Sequence, residues 1–266
     1  MTGKVLPVIV PAYFGGSALD LCLKSIERQD VEGAEAFVHD NSAENLYFTA
    51  AINLGLRKYA FRDDVEFVFI LNQDAVLQPD ALCNLVRFMN ANPTCGIGCP
   101  LQVAKDDPDR VTFAGGEKLW PWGHHYAGRL RDFTAPRRVA WASGAAMMLR
   151  VDMVREIGLL DGNFRQIGSD SDYSFTARSR GWDLWLVPDS VVEHNPGTSL
   201  DSGPNYELEI VKCMDVLYFA SKWLTGGLYR QMSVDGQQMT PVAVEVEIGK
   251  LQTALSWLKE KARVAG

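Results

Sequence analysis

Cysteine is scarce, with five in 266 residues, at positions 22, 83, 95, 99 and 213. An odd, scattered set is no disulfide framework, and it reads as a chain of a reducing, cytoplasmic compartment. Cys95 and Cys99 are the one close pair. Without a second pair or histidines beside it, this is not a zinc spacing but two small buried hydrophobes. No apolar run reaches the roughly 18 residues of a membrane span, and the first residues lack the order of a secretory leader. Positive charge is not in excess either: 26 Lys and Arg stand against 33 Asp and Glu, a net charge of −7. Bulk charge therefore gives no reason to expect a nucleic-acid partner. Three short signatures are also missing. No G-x-G-x-x-G follows the first strand-like run, no G-x-x-x-x-G-K-[ST] occurs and no G-x-S-x-G occurs, which argues against dinucleotide, P-loop and nucleophile-elbow chemistry.

What is present is the composition of a folded protein, 47% hydrophobic and 22% charged, long enough to bury a large core. Apolar strand-like runs alternate with helical patterns. Val5 to Val10 ends at Pro11. Ser17 stands as a helix N-cap before Leu19, Leu23 and Ile26. Ala36-Phe37-Val38 ends at His39-Asp40-Asn41, and a helix follows from about Tyr47 to Tyr59. Val65 to Leu71 is too apolar to have a wet face, and continuous apolar strands between helices imply a mostly parallel sheet covered on both sides. Pro79 opens the next helix, with Leu82, Leu85, Val86 and Met89 as its stripe. From Asn92 to Arg138 prolines and paired glycines make the pattern irregular. Order returns over Val139 to Leu149, in helices near 152–157 and 170–180, and in a strand at 182–187. The tail reads as a helix over 206–229, with Ile210, Met214, Leu217, Ser221 and Leu228 on its apolar face. A last helix after Pro241 carries a heptad-like seam of Val244, Ile248, Leu251, Leu255, Leu258 and Ala262. Packing on the main body, a homodimer or contact with a membrane surface are the uses this seam leaves open.

In a parallel sheet ligands bind beyond the carboxyl ends of the strands. Those ends here carry Pro11-Ala12-Tyr13, Asp40-Asn41 and Asn72-Gln73-Asp74, which should converge. A second acidic group, Asp170 and Asp172, opens a helix. One cap suffices for a helix start, so the second carboxylate is left for other work, such as a general base. Asp74 and His194 together offer carboxylate and imidazole to a divalent cation such as Mn²⁺. Trp120, Trp122, His124, His125 and Tyr126 lie in the irregular stretch. They read either as a stacking platform for a sugar or as the apolar anchor of a long loop.

In order, Val10-Pro11-Ala12-Tyr13, Val38 to Ser42, Ala51 to Gly55, Leu71 to Asp74, Ser143 to Ala146, Ser169 to Asp172 and His194 to Ser199 resemble a family-2 inverting glycosyltransferase of the GT-A fold, in particular its rhamnosyltransferase-like branch. The resemblance spans about residues 4 to 200. It implies a Rossmann-like, mostly parallel central sheet flanked by helices in a domain over residues 1–203. That domain has a nucleotide-binding half to about 103 and an acceptor and catalytic half from about 104, with a C-terminal helical extension over 204–266. It also implies that Asp170 is the catalytic base and that Pro11, Ala12, Tyr13, Asp40, Asn53, Gln73 and Gly144 contact the nucleotide-sugar donor. Asp74 and His194 would hold Mn²⁺ or Mg²⁺, and Trp120, Trp122, His125 and Asp172 would meet the acceptor. The donor would be a UDP- or dTDP-sugar such as dTDP-rhamnose. The acceptor would be a saccharide or lipid-linked saccharide of surface-polysaccharide synthesis, at the inner face of the membrane. Two positions differ from the family pattern: D-x-D reads Asn72-Gln73-Asp74, and Glu-Asp reads Ser169-Asp170. The alternative reading they motivate is a catalytically weak, nucleotide-sugar-binding or scaffolding relative.

Overall fold

The computed structural model describes residues 4–117, 124–194, 205–224 and 241–265. Its centre is a ten-stranded sheet. The strands are β1 (Leu6–Ala12), β2 (Ala34–Asp40), β3 (Phe67–Leu71), β4 (Ala75–Leu77), β5 (Cys95–Ala104), β6 (Asp107–Phe113), β7 (Gly128–Arg129), β8 (Arg137–Arg138), β9 (Ala146–Arg150) and β10 (Asp183–His194). The helices are α1 (Ser17–Glu27), α2 (Tyr47–Tyr59), α3 (Ala81–Ala91), α4 (Val151–Ile157), α5 (Ser169–Ser179), α6 (Tyr206–Phe219) and α7 (Pro241–Ala265). The main path runs β2-β1-β3-β9-β5-β10-β4. β1 pairs in parallel with β2 and β3, and β5 with β10. β9 enters antiparallel between β3 and β5, so those two point the same way.

Alternation of side chains divides the core into two layers. Val8, Val10, Phe67, Phe69 and Leu71 face α1 and α3, against Cys22, Ile26, Leu82, Leu85 and Met89. Ile9, Val68, Ile70, Ile97 and Leu149 face the other way, against α2, α4, α5 and the C-terminal helices. This is the flanked, mostly parallel sheet that the alternating pattern implies.

Several local expectations change. β1 runs through Pro11 to Ala12, and β10 continues past 187 to His194. The stretch from Asn92 to Arg138 is not all irregular: it supplies β5, buried along its whole length, and β6. Glycine and proline hide this strand from a propensity reading. Gly96 and Gly98 are there because neighbours fill the space of a side chain. A Cβ on Gly96 would stand 2.5 Å from Met153 Sδ, and one on Gly98 3.0 Å from Leu85 Cδ2. Pro100 sits where the β5–β10 register shifts, between Val187 and Val191. Next, Ser17 is the first residue of α1 rather than its cap; Gly16 takes the N-cap position without a side-chain bond. Lastly, α6 is turned only in part from its expected face, since Leu217 still packs against the core. Val211, Cys213, Asp215 and Phe219 are buried, while Met214 and Ser221 are exposed, and a π-helical turn over Ala220–Leu224 follows. Leu228 lies outside the described residues.

The seam of α7 packs inward. Val244 and Leu251 are buried in the main core, with Ile248, Leu255 and Leu258 packed against it. Among the described residues no helix is long and apolar enough to cross a membrane.

Candidate active site

The carboxyl ends of β1, β3 and β10 open into one cavity of about 510 Å³, a size that suits a nucleotide-sized ligand. Pro11, Tyr13, Asn72, Gln73, Asp74 and His194 line it. Asp74 and His194 meet because β4, which starts just after Asp74, runs antiparallel to the end of β10, with His194 opposite Ala75. Asp74 Oδ1 and His194 Nε2 are 3.5 Å apart, with side chains only 10% and 7% exposed. Among the described residues no group of three His, Cys, Asp or Glu converges as a metal site.

Gln73 holds the cavity wall through main-chain bonds. Its Nε2 donates to the Tyr13 carbonyl at 3.0 Å, and its Oε1 accepts the Tyr13 N–H at 2.8 Å. The loop after β1 is thereby pinned to the end of β3. Phe14, in the left-handed region at φ 49°, gives its N–H to Ser42 Oγ. The Ser42 hydroxyl and main-chain N–H both bond Asp40 Oδ1, at 2.5 and 2.8 Å, and together lower the Asp40 pKa. Asp40 is exposed beside the cavity, and Asn41, next in sequence, lines it. Ala12 is buried behind the lining, its carbonyl accepting the Asn41 N–H.

Asp170 stands one step behind the wall. Phe48 lines the cavity and packs on Gly144, so closely that a Cβ there would be 2.7 Å from the ring and 3.3 Å from Asp170 Cβ. The Gly144 N–H donates to Asp170 Oδ2 at 2.8 Å, and the Ser171 N–H to Oδ1 at 2.7 Å. Burial outweighs these bonds and pushes the Asp170 pKa above the usual carboxylate value. A recessed carboxylate with a raised pKa is fit to take a proton.

Other expected site residues stand elsewhere. Asn53 is buried in α2, with both ends of its amide bonded to the main chain of Leu160 at 2.9 and 3.0 Å. Asp172 does not face the cavity. Two residues along a helix point to different sides, and Asp172 is buried against Lys222 Nζ at 2.7 Å and Trp223 Nε1 at 2.6 Å. His125 lies over β6, its ring 5.3 Å from that of Phe113 and 6.3 Å from that of Trp141, away from the cavity lining. Trp120 and Trp122 lie outside the described residues.

The cavity also has walls that strand-end reasoning does not reach. Asn45 comes from the loop before α2, and Tyr47 is the first residue of that helix. Tyr47 has φ 61°, and the Arg165 guanidinium stacks 4.2 Å above its ring. Gln166 comes from the loop before α5, and Asn205 and Glu207 from the start of α6. One signal for the last pair lay in the sequence: asparagine is a favoured N-cap, and the Asn205 side chain accepts the Leu208 N–H.

The model of the glycosyltransferase like family 2 matches residues 42–203, more than half of the 266 residues. No curated protein matches the chain closely enough to count as a relative. Among solved structures, a crystal structure of GalNAc-T7 with UDP, GalNAc and Mn²⁺ superposes with a TM-score of 0.58 at 14% identity. It covers 97% of this chain, and this chain spans only 56% of that one. That likeness shows the fold, a GT-A arrangement of the sheet and its helices. A crystal structure of A197 from STIV matches with a TM-score of 0.49 at 13% identity, over 72% of this chain and 85% of that one.

Proposed function

The chain belongs to glycosyltransferase family 2, and from that premise we propose that it moves a sugar from a nucleoside-diphosphate sugar to an acceptor hydroxyl with inversion. The observation that carries the reading is the convergence of Pro11, Tyr13, Gln73, Asp74 and His194 on one cavity, with Asp170 just behind its wall. The donor would be a UDP- or dTDP-sugar, dTDP-rhamnose among the candidates. The acceptor would be a saccharide or lipid-linked saccharide of surface-polysaccharide assembly at the inner membrane face.

The chemistry follows from where the charges lie. As the acceptor oxygen bonds the anomeric carbon, the bond to the diphosphate breaks and the diphosphate leaves with its electron pair. The hydroxyl proton passes to Asp170. A single displacement inverts the anomeric centre and needs no second carboxylate as nucleophile. The Gly144 and Ser171 N–H groups hold the Asp170 carboxylate in place.

Asp74 and His194 fit a divalent cation in the chemistry of their donors, since a carboxylate oxygen and an imidazole nitrogen face each other in a nearly enclosed wall. Two protein ligands suit an ion that a diphosphate and water also coordinate. When bound there, Mn²⁺ or Mg²⁺ would neutralise charge on the departing diphosphate.

A weaker second reading, nucleotide-sugar binding without efficient transfer, is favoured by Asn72 standing where the D-x-D pattern has its first carboxylate. Thermal shift with UDP, dTDP, GDP and CDP, each with and without Mn²⁺ or Mg²⁺, followed by product detection with the best donor, tests both. A ligand at about 100 times its Kd adds about 2.7 kcal/mol of stability. A nucleotide-specific, metal-enhanced shift with product formation is expected. A shift without product favours the second reading, and no shift with any nucleotide sinks both.

A further inference from the structure

Gln102 lies in β5 and is only 2% exposed. Its Oε1 is 3.0 Å from His194 Nδ1, and among the described residues no partner meets its Nε2. The contact is built into the sheet. Gln102 pairs with Val192 across the parallel β5–β10 ladder. His194, two residues further, lies on the same face as Val192 and diagonally opposite Gln102, within reach of a long side chain.

A buried amide with one matched end and one unmatched end costs free energy that an apolar side chain would not. The matched end is therefore the one to explain. An amide oxygen only accepts, so with that oxygen turned to the ring Nδ1 of His194 carries the proton. In the neutral ring Nε2 is then bare, with its lone pair turned toward the Asp74 carboxylate 3.5 Å away. Two electron-rich atoms so placed repel each other unless a proton or a metal cation lies between them.

We propose that Gln102 is a positioning residue, which fixes His194 as the Nδ1–H tautomer and aims its bare Nε2 toward a divalent cation shared with Asp74. This rests on the reading of Asp74 and His194 as a cation site. The partner that holds the second nitrogen of a ligating histidine sets its tautomer and orientation, and its loss typically lowers metal affinity about ten- to a hundredfold.

The test uses the full chain. Long-range ¹H–¹⁵N spectra of the metal-free protein report the tautomer of His194, assigned with His194→Gln, and Mn²⁺ alone is titrated by EPR. The expected result is Nδ1–H in the wild type. In Gln102→Met the proton population should move toward Nε2, with at least tenfold weaker Mn²⁺ binding and an unchanged circular-dichroism melt. Gln102→Glu keeps an acceptor oxygen and should restore both properties. Nε2–H in the wild type overturns the inference, as does wild-type tautomer and affinity in Gln102→Met. A wild-type chain that takes up no Mn²⁺ overturns the cation reading itself. One that binds Mn²⁺ no better than Gln102→Met overturns the role of Gln102 alone.

Discussion

Asp215, on α6, holds the main chain of Gln166, whose N–H donates to its Oδ2 at 2.7 Å. The same carboxylate accepts the N–H groups of Arg165 at 3.0 Å and Ile167 at 2.9 Å. A buried carboxylate from α6 thus fixes the loop that contributes Gln166 to the cavity and leads, three residues after Ile167, into Asp170. The C-terminal segment is part of the site's frame.

Asp215→Ala should therefore leave three partly buried main-chain donors unmatched. Hydrogen bonds to charged groups are worth about 1.5–3 kcal/mol each, and losses at neighbouring sites do not add in full. A loss of about 3 kcal/mol in urea unfolding is expected, with kcat for transfer falling more than nucleotide affinity. Equal loss in both would mean the loop only shapes the donor pocket.

Lys222 joins Asp161 and Asp172, each at 2.7 Å. The two carboxylates respond oppositely. Burial raises the Asp172 pKa despite the ammonium. At Asp161 burial also works upward, but Lys222, the Asn163 N–H and the Tyr218 hydroxyl outweigh it and hold the pKa at about 2. Lys222→Met would strand the nearly inaccessible Asp172 charge and should cost about 3 kcal/mol. Lys222→Met combined with Asp172→Asn should recover part of that loss. If the double variant is no more stable than the single one, the buried charge is not the cause.

The acid side of stability has a sign set by Asp161. Its folded pKa lies below its unfolded value, so its contribution is present above the ordinary carboxylate value of 3.8 and is lost as pH falls through about 2. Urea midpoints of wild type and Asp161→Asn should differ at pH 6 and converge near pH 2. A constant gap across that window would assign the effect to lost hydrogen bonds instead.

Asp170 carries the opposite sign. Burial raises its folded pKa, so its protonated form favours folding at low pH, and that contribution is lost as pH rises through the folded value. At neutral pH Asp170→Asn should be at least as stable as the wild type while transfer is abolished and nucleotide binding remains. The wild-type rate should fall as pH drops, with a midpoint above the usual carboxylate range. Loss of nucleotide binding in Asp170→Asn would make Asp170 a structural residue.

Sequence and tertiary structure divided the work along physical lines. Hydrophobic runs ended by polar residues located β1 and β3 and the strand ends that carry Tyr13 and Asp74, because a strand buried on both faces must be continuously apolar wherever it occurs. The edge strand β2, which ends at Asp40, showed only the short run Ala36-Phe37-Val38. The seam of α7 was legible for a similar reason: helical period alone says which side is apolar. Period does not say what lies opposite. Only the folded chain turns Asp172 to Lys222 while its neighbour Asp170 meets Gly144, and only strand order sets Gln102 beside His194, 92 residues away. β5 was hidden because its glycines are chosen by Met153, Leu85 and Met89 across the layers, a constraint that no local propensity carries. What one element needs to be buried is written along it; what two elements do to each other is decided by their packing.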